Sequence, residues 1–280
     1  MKLYTVNSGY FKLDGGAMFG VVPKSVWSRT NPADENNMCS WATRCLLVES
    51  DNRLILIDNG IGDKQNEKFF SYYYLHGDDS LEKSIKKQGF GLDDVTDVFL
   101  THLHFDHCGG SVKHTDSTKT KLELTFKNAK YWSNSKHWEW ATNPNPREKP
   151  SFLKENIMPI KESGHLNFID KECEWLPGFE ILIVNGHTEN MMLPLIKYKD
   201  NKILYCADLI PSVGHIPIPY VMGYDVRPLE TLKEKECILQ KAVAENWTLF
   251  FEHDSVNECC SLTNTDRGIR AKDMLKINEL

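Results

Sequence analysis

The chain has 280 residues, 41% hydrophobic and 26% charged, which suits a water-soluble globular protein with a full core. No apolar stretch approaches the roughly 20 residues that span a bilayer. A net charge of −6 with no Lys/Arg block argues against a nucleic-acid surface. The start, MKLYTVNSGYFKLDGG, lacks the apolar core of a signal peptide, so a cytoplasmic location is expected, with no membrane partner. Eight cysteines include no C-x-x-C and one adjacent pair, Cys259 and Cys260. They are expected to be mostly buried, reduced and apolar in character.

In chain order, "RCLLVE" and "RLILID" are predicted strands, rich in branched residues. "SLEKSIKKQGF" is a predicted helix, capped by Ser80 and stopped by Gly89. "DVFLTH" is a strand, and the Pro-rich "TNPNPREKP" a surface loop. "FEILIVNG" and "KILYCAD" are further strands, followed by the loop "SVGHIPIPYVMGYDVRP". "PLETLKEKECILQKAVAENW" is an amphipathic helix with Pro228 in its first turn, and "WTLFFEHD" a last strand. Strands interleaved with amphipathic helices imply sheets covered by helices. No convincing linker interrupts them, so residues 1–280 are read as one domain.

The strands share a feature that packing does not require. "DVFLTHLHFDH" delivers His102, His104, Asp106 and His107; "FEILIVNGH" delivers His187; "KILYCAD" delivers Asp208; "WTLFFEHD" delivers His253. Strands side by side bring such ends to one rim, where loops carry function. Imidazole and carboxylate donors suit zinc and similar divalent ions. Five histidines and two aspartates are too many for one tetrahedral ion but fit two ions sharing a carboxylate. Cys108 follows a candidate ligand and is a weaker candidate itself. His76, His114, His137 and His165 are read as surface histidines.

H-x-H-x-D-H followed by Gly-Gly, with the ordered downstream His, Asp and His, resembles the metallo-β-lactamase-fold hydrolases over nearly the whole chain. The resemblance implies an α+β fold, an αββα sandwich with two divalent metal ions, expected to be Zn2+, at one edge of the sheets. It implies that His102, His104 and His187 bind the first ion and Asp106, His107 and His253 the second, with Asp208 bridging. Asp58 in "ILIDNG" matches the aspartate that orients a ligand histidine from behind. True β-lactamases of the common zinc type carry cysteine at the bridging position, so Asp208 disfavours that activity. "GGAMFGVVPKSVW" and the metal motif are similar to the quorum-quenching N-acyl-homoserine lactonases.

That likeness implies opening of a lactone ring by a metal-bridging hydroxide, with Asp106 passing a proton to the leaving oxygen. An acyl chain needs an apolar wall, for which Met18, Phe19, Phe69, Phe70 and Tyr73 are candidates, alongside Tyr72 and Tyr74. One departure stands out. Lactonases of this group carry a tyrosine three residues after the bridging aspartate, where this chain has Pro211. His215, Tyr220 and Tyr224 are the nearby replacements, with His215 favoured. Another dinuclear hydrolase, acting on thioesters, organophosphates or other esters, is the alternative. Nothing in the sequence decides between a monomer and a homodimer.

Overall fold

The computed structural model describes residues 1–116 and 118–280, and these form two compact units. Residues 1–10 and 43–170 make the first, residues 11–42 and 171–280 the second. The strands are β1 (Lys2–Asp14), β2 (Met38–Ser50), β3 (Arg53–Ile57), β4 (Asp97–Phe99), β5 (Val112–His114), β6 (Leu122–Leu124), β7 (Lys130–Ser133) and β8 (Leu166–Phe168). They continue as β9 (Cys173–Leu176), β10 (Phe179–Val184), β11 (Met191–Tyr198), β12 (Asn201–Tyr205), β13 (Thr248–Phe250), β14 (Cys259–Thr265) and β15 (Gly268–Leu275).

The first unit holds most of a six-stranded sheet of order β1-β2-β3-β4-β7-β8, with the hairpin β5-β6 apart from it. β3, β4, β7 and β8 run parallel, with Ile57 opposite Phe99 and Phe99 opposite Trp132. Such strands are buried, which is why "RLILID" and "DVFLTH" read as apolar runs rather than alternating ones. Val6, Leu47, Leu56, Val98, Tyr131 and Ile160 belong to one buried core. The predicted helix is Leu81–Lys87, with the Ser80 hydroxyl accepting from Lys83 N–H and Gly89 at φ +90° just past its end.

The second unit holds a seven-stranded sheet of order β15-β14-β13-β12-β11-β10-β9. Its one parallel pair, β12 with β13, needs a crossover, and the helix Pro228–Ala244 supplies it. That helix buries Thr231, Lys235, Ile238, Leu239 and Ala242, one face at helical spacing, and Pro228 sits in its first turn. Among the described residues no helix is long and apolar enough to cross a membrane.

Candidate metal centre

Strand direction places the donors. In the first unit β3 and β4 are parallel and in register, so Asp58 and the 100–107 segment leave the same sheet edge. In the second, β10, β12 and β13 all point one way, through the antiparallel β11 and the parallel β12–β13 pair. His102, His187, Asp208 and His253 each lie three residues past the last residue of their strand, Phe99, Val184, Tyr205 and Phe250.

In the first unit His102 and His107 each have one nitrogen tied from behind. The Asp58 carboxylate accepts from Thr101 N–H at 2.8 Å, Thr101 Oγ1 at 2.7 Å and His107 Nδ1 at 3.1 Å. Because the Thr101 hydroxyl donates to Asp58, its oxygen accepts from His102 Nδ1, 3.0 Å away. His102 and His107 therefore carry hydrogen on Nδ1 and present a lone pair at Nε2. His104 turns its Nε2 toward the buried Glu148 carboxylate at 3.6 Å and its Nδ1 toward His102 Nε2 at 3.1 Å. Asp106 Oδ2 lies 3.9 Å from His107 Nε2. The turn beyond is glycine because Gly110 N–H bonds Gly60 O, and a Cβ on Gly109 or Gly110 would meet the 59–61 backbone at 1.9 Å or 2.2 Å.

The second unit repeats the pattern. His253 Nδ1 donates to the Ala42 carbonyl at 2.7 Å, and His187 Nδ1 donates to Asp225 at 2.9 Å. Both Nε2 atoms face Asp208, His253 on Oδ1 and His187 on Oδ2, each at 3.1 Å. A bare ring nitrogen and a carboxylate oxygen at that distance repel unless a proton or a cation lies between them. Burial disfavours charge on His187, yet the Asp208 and Asp225 carboxylates outweigh it and hold its pKa up at about 10. These lone pairs and carboxylates call for cations, and the donor types fit a divalent ion such as zinc.

Several residues behave differently from their sequence reading. His137 is no surface histidine: it is 1% exposed, and its Nε2 accepts the Leu103 N–H between two motif histidines at 2.8 Å. Glu148, in the supposed surface loop, is 3% exposed. Asp225 was missed, since a single acid in an irregular loop carries no sequence signal. Cys108 is a thiol rather than a donor thiolate: burial pushes its pKa up to about 12, and it donates to Leu103 O.

His215 is corrected as a substrate donor. Its Nε2 donates to the Met18 carbonyl at 2.9 Å, and its Nδ1 accepts from the Ser212 hydroxyl at 2.8 Å. Burial holds its pKa down at about 3, so it stays neutral, stacked on Phe19 with centroids 4.2 Å apart. Phe19 also stacks on Trp27, and Met18 and Phe19 are 2% and 0% exposed, so both are core rather than groove wall. Tyr220 is half-buried, edge-on to Phe19, and Tyr224 is exposed. In the first unit, half-buried Phe69 and Tyr73 pack on Phe105 of the metal motif, and half-buried Phe70 packs on Phe69.

Comparison with known proteins adds to this geometry. The N-acyl homoserine lactonase of Bacillus thuringiensis is 24% identical over 273 residues, covering 92% of this chain and 94% of that protein. A probable metal-dependent hydrolase from Staphylococcus aureus superposes with a TM-score of 0.87 at 26% identity, over 98% of both chains. AidC, a dizinc quorum-quenching lactonase solved with a product, has a TM-score of 0.78 at 21% identity, over 98% of this chain and 95% of its own. These likenesses establish the fold, two mixed sheets with flanking helices. The model of the metallo-beta-lactamase superfamily matches residues 41–253, from β2 to His253. The chain belongs to the metallo-beta-lactamase superfamily.

Proposed function

We propose that this metal-dependent hydrolase opens the ring of N-acyl-homoserine lactones, with residues 1–280 working as one catalytic domain. The observation that carries the reading is Asp208, whose two oxygens each face an imidazole nitrogen at 3.1 Å. A carboxylate so placed is suited to bridge two ions. The near full-length relation to lactonases supports lactone as the substrate.

In this reading His102, His104 and His187 hold one ion, Asp106, His107 and His253 the other, and Asp208 both. Two divalent ions held by these residues would lower the pKa of water and polarise an ester carbonyl. Asp106 takes the proton released as water adds to the carbonyl carbon. It returns that proton to the ring oxygen as the acyl C–O bond breaks, leaving the N-acyl-homoserine. Phe69, Phe70 and Tyr73 offer aromatic surface to the acyl chain.

Product analysis on homoserine lactones with acyl chains of graded length, beside a thioester and a phosphotriester, tests the reading. Ring-opened acid formed faster than thiol or alcohol release is expected; preference for the thioester or phosphotriester would overturn the lactone assignment.

Asp225 gives a second expectation. It holds the proton on His187 Nδ1 and so aims Nε2. Asp225→Ala is expected to weaken binding of a divalent ion by about 10- to 100-fold. Competition against a chelator of known affinity measures it, and unchanged affinity would remove Asp225 from the site.

A further inference from the structure

The phenol missing at Pro211 leaves a question that the loop after Asp208 does not answer. His215 has both ring nitrogens engaged, and Tyr224 is 40% exposed. Tyr220 rests against Phe19, whose side chain is core. A different tyrosine lies against the metal motif itself. The ring of Tyr73 is 4.8 Å from that of Phe105 and 4.9 Å from that of Phe69, while Phe69 and Phe105 stand 5.3 Å apart. Phe105 lies between His104 and Asp106 in the chain, so this cluster sets Tyr73 beside the motif.

We propose that Tyr73 supplies, from the segment before the metal motif, the phenolic hydrogen-bond donor that Pro211 cannot give. This rests on the lactone reading and assigns Tyr73 a role beyond apolar wall. Its hydroxyl makes no hydrogen bond among the described residues and so has its donor to spend on a substrate oxygen. The segment is held at both ends. Tyr73 N–H bonds Phe70 O in the turn closing the helix Glu67–Ser71, and His76 pairs with Tyr10 through two backbone hydrogen bonds. A donor fixed in this manner needs little reorganisation when charge develops on the carbonyl or ring oxygen. Burial, and then the negative charge of Asp106, push the phenol up to about 12. It therefore remains protonated, a donor, across the working pH range.

Tyr73→Phe removes the hydroxyl and keeps the ring on Phe105. The expected result is a fall in kcat of about 100-fold, with KM changed far less and with metal content and melting temperature as in the wild type. A residue that only lines the acyl groove would pass this substitution unnoticed, and wild-type kcat in Tyr73→Phe overturns the proposal. The lactone reading fails separately, if the wild type leaves lactones intact and turns over the thioester or phosphotriester. Tyr73→Phe is then assayed on that substrate, with the same two outcomes. A wild type that turns over none of them, with both ions bound, overturns both.

Discussion

Asp208→Ala is expected to lower kcat/KM by about three orders of magnitude or more, the range seen when a group stabilising transition-state charge is lost. The reason lies in the second unit's geometry. His187 and His253 each have Nδ1 committed, to Asp225 and to the Ala42 carbonyl, and each aims Nε2 at one oxygen of Asp208. Alanine removes the one group that touches both directions, and with it the element expected to set the separation of two ions. Elemental analysis of the purified variant, after incubation with excess zinc, should find fewer than two ions per chain. Turnover near that of the wild type would end the bridging assignment. Asp208→Cys offers a contrast, since thiolate is a good zinc ligand but presents a single donor atom.

Asp58→Ala should have the largest effect on stability. Asp58 is fully buried and accepts three hydrogen bonds, two from Thr101 and one from His107. Each buried donor left without a partner costs about 1–3 kcal/mol. The total of roughly 3–9 kcal/mol is a large part of what holds a typical domain folded. Backbone conformation adds to the cost, because Asp58 sits at φ +54°, which aspartate tolerates better than alanine. The donors concerned also set the tautomers of His102 and His107, so metal binding should fall together with stability. Denaturant unfolding of the metal-free chain isolates the first effect, and a midpoint equal to the wild type would show that Asp58 is not the pin it resembles. Asp58→Asn, which keeps the shape and one acceptor, is expected to fall between.

Much of this was legible in the residues. The apolar runs around Leu56, Val98, Leu182, Leu204 and Leu249 all became strands, because short runs of branched residues suit strands covered on both faces. Ser80, Gly89 and Pro228 marked helix ends through local chemistry alone. Other elements were not visible. β11 carries Pro194, which argues against a strand until its neighbours are known, and β14 and β15 form a mostly half-exposed hairpin whose polar residues lack a clear alternation. β1 is mostly half-buried, so its composition is mixed along its length.

The candidate metal donors stood out in the sequence because their chemistry is costly and their spacing repeats. Each chain segment ends its apolar run and, three residues later, presents an imidazole or a carboxylate. What stands behind those donors was decided only by tertiary structure. Asp225 lies 38 residues from His187, and the Ala42 carbonyl 211 residues from His253. Glu148 and His137 come from segments that read as surface. His215 drew attention because an imidazole in a loop near Asp208 could reach a substrate, yet the fold spends both its nitrogens on Met18 and Ser212. Met18 and Phe19 went the same way, their aromatic and apolar surface consumed by core packing. A sequence displays which groups can bind a metal or donate a proton, since that is a property of each side chain. Which nitrogen carries the hydrogen, and whether a donor is already taken, depends on partners that only the folded chain brings within 3 Å.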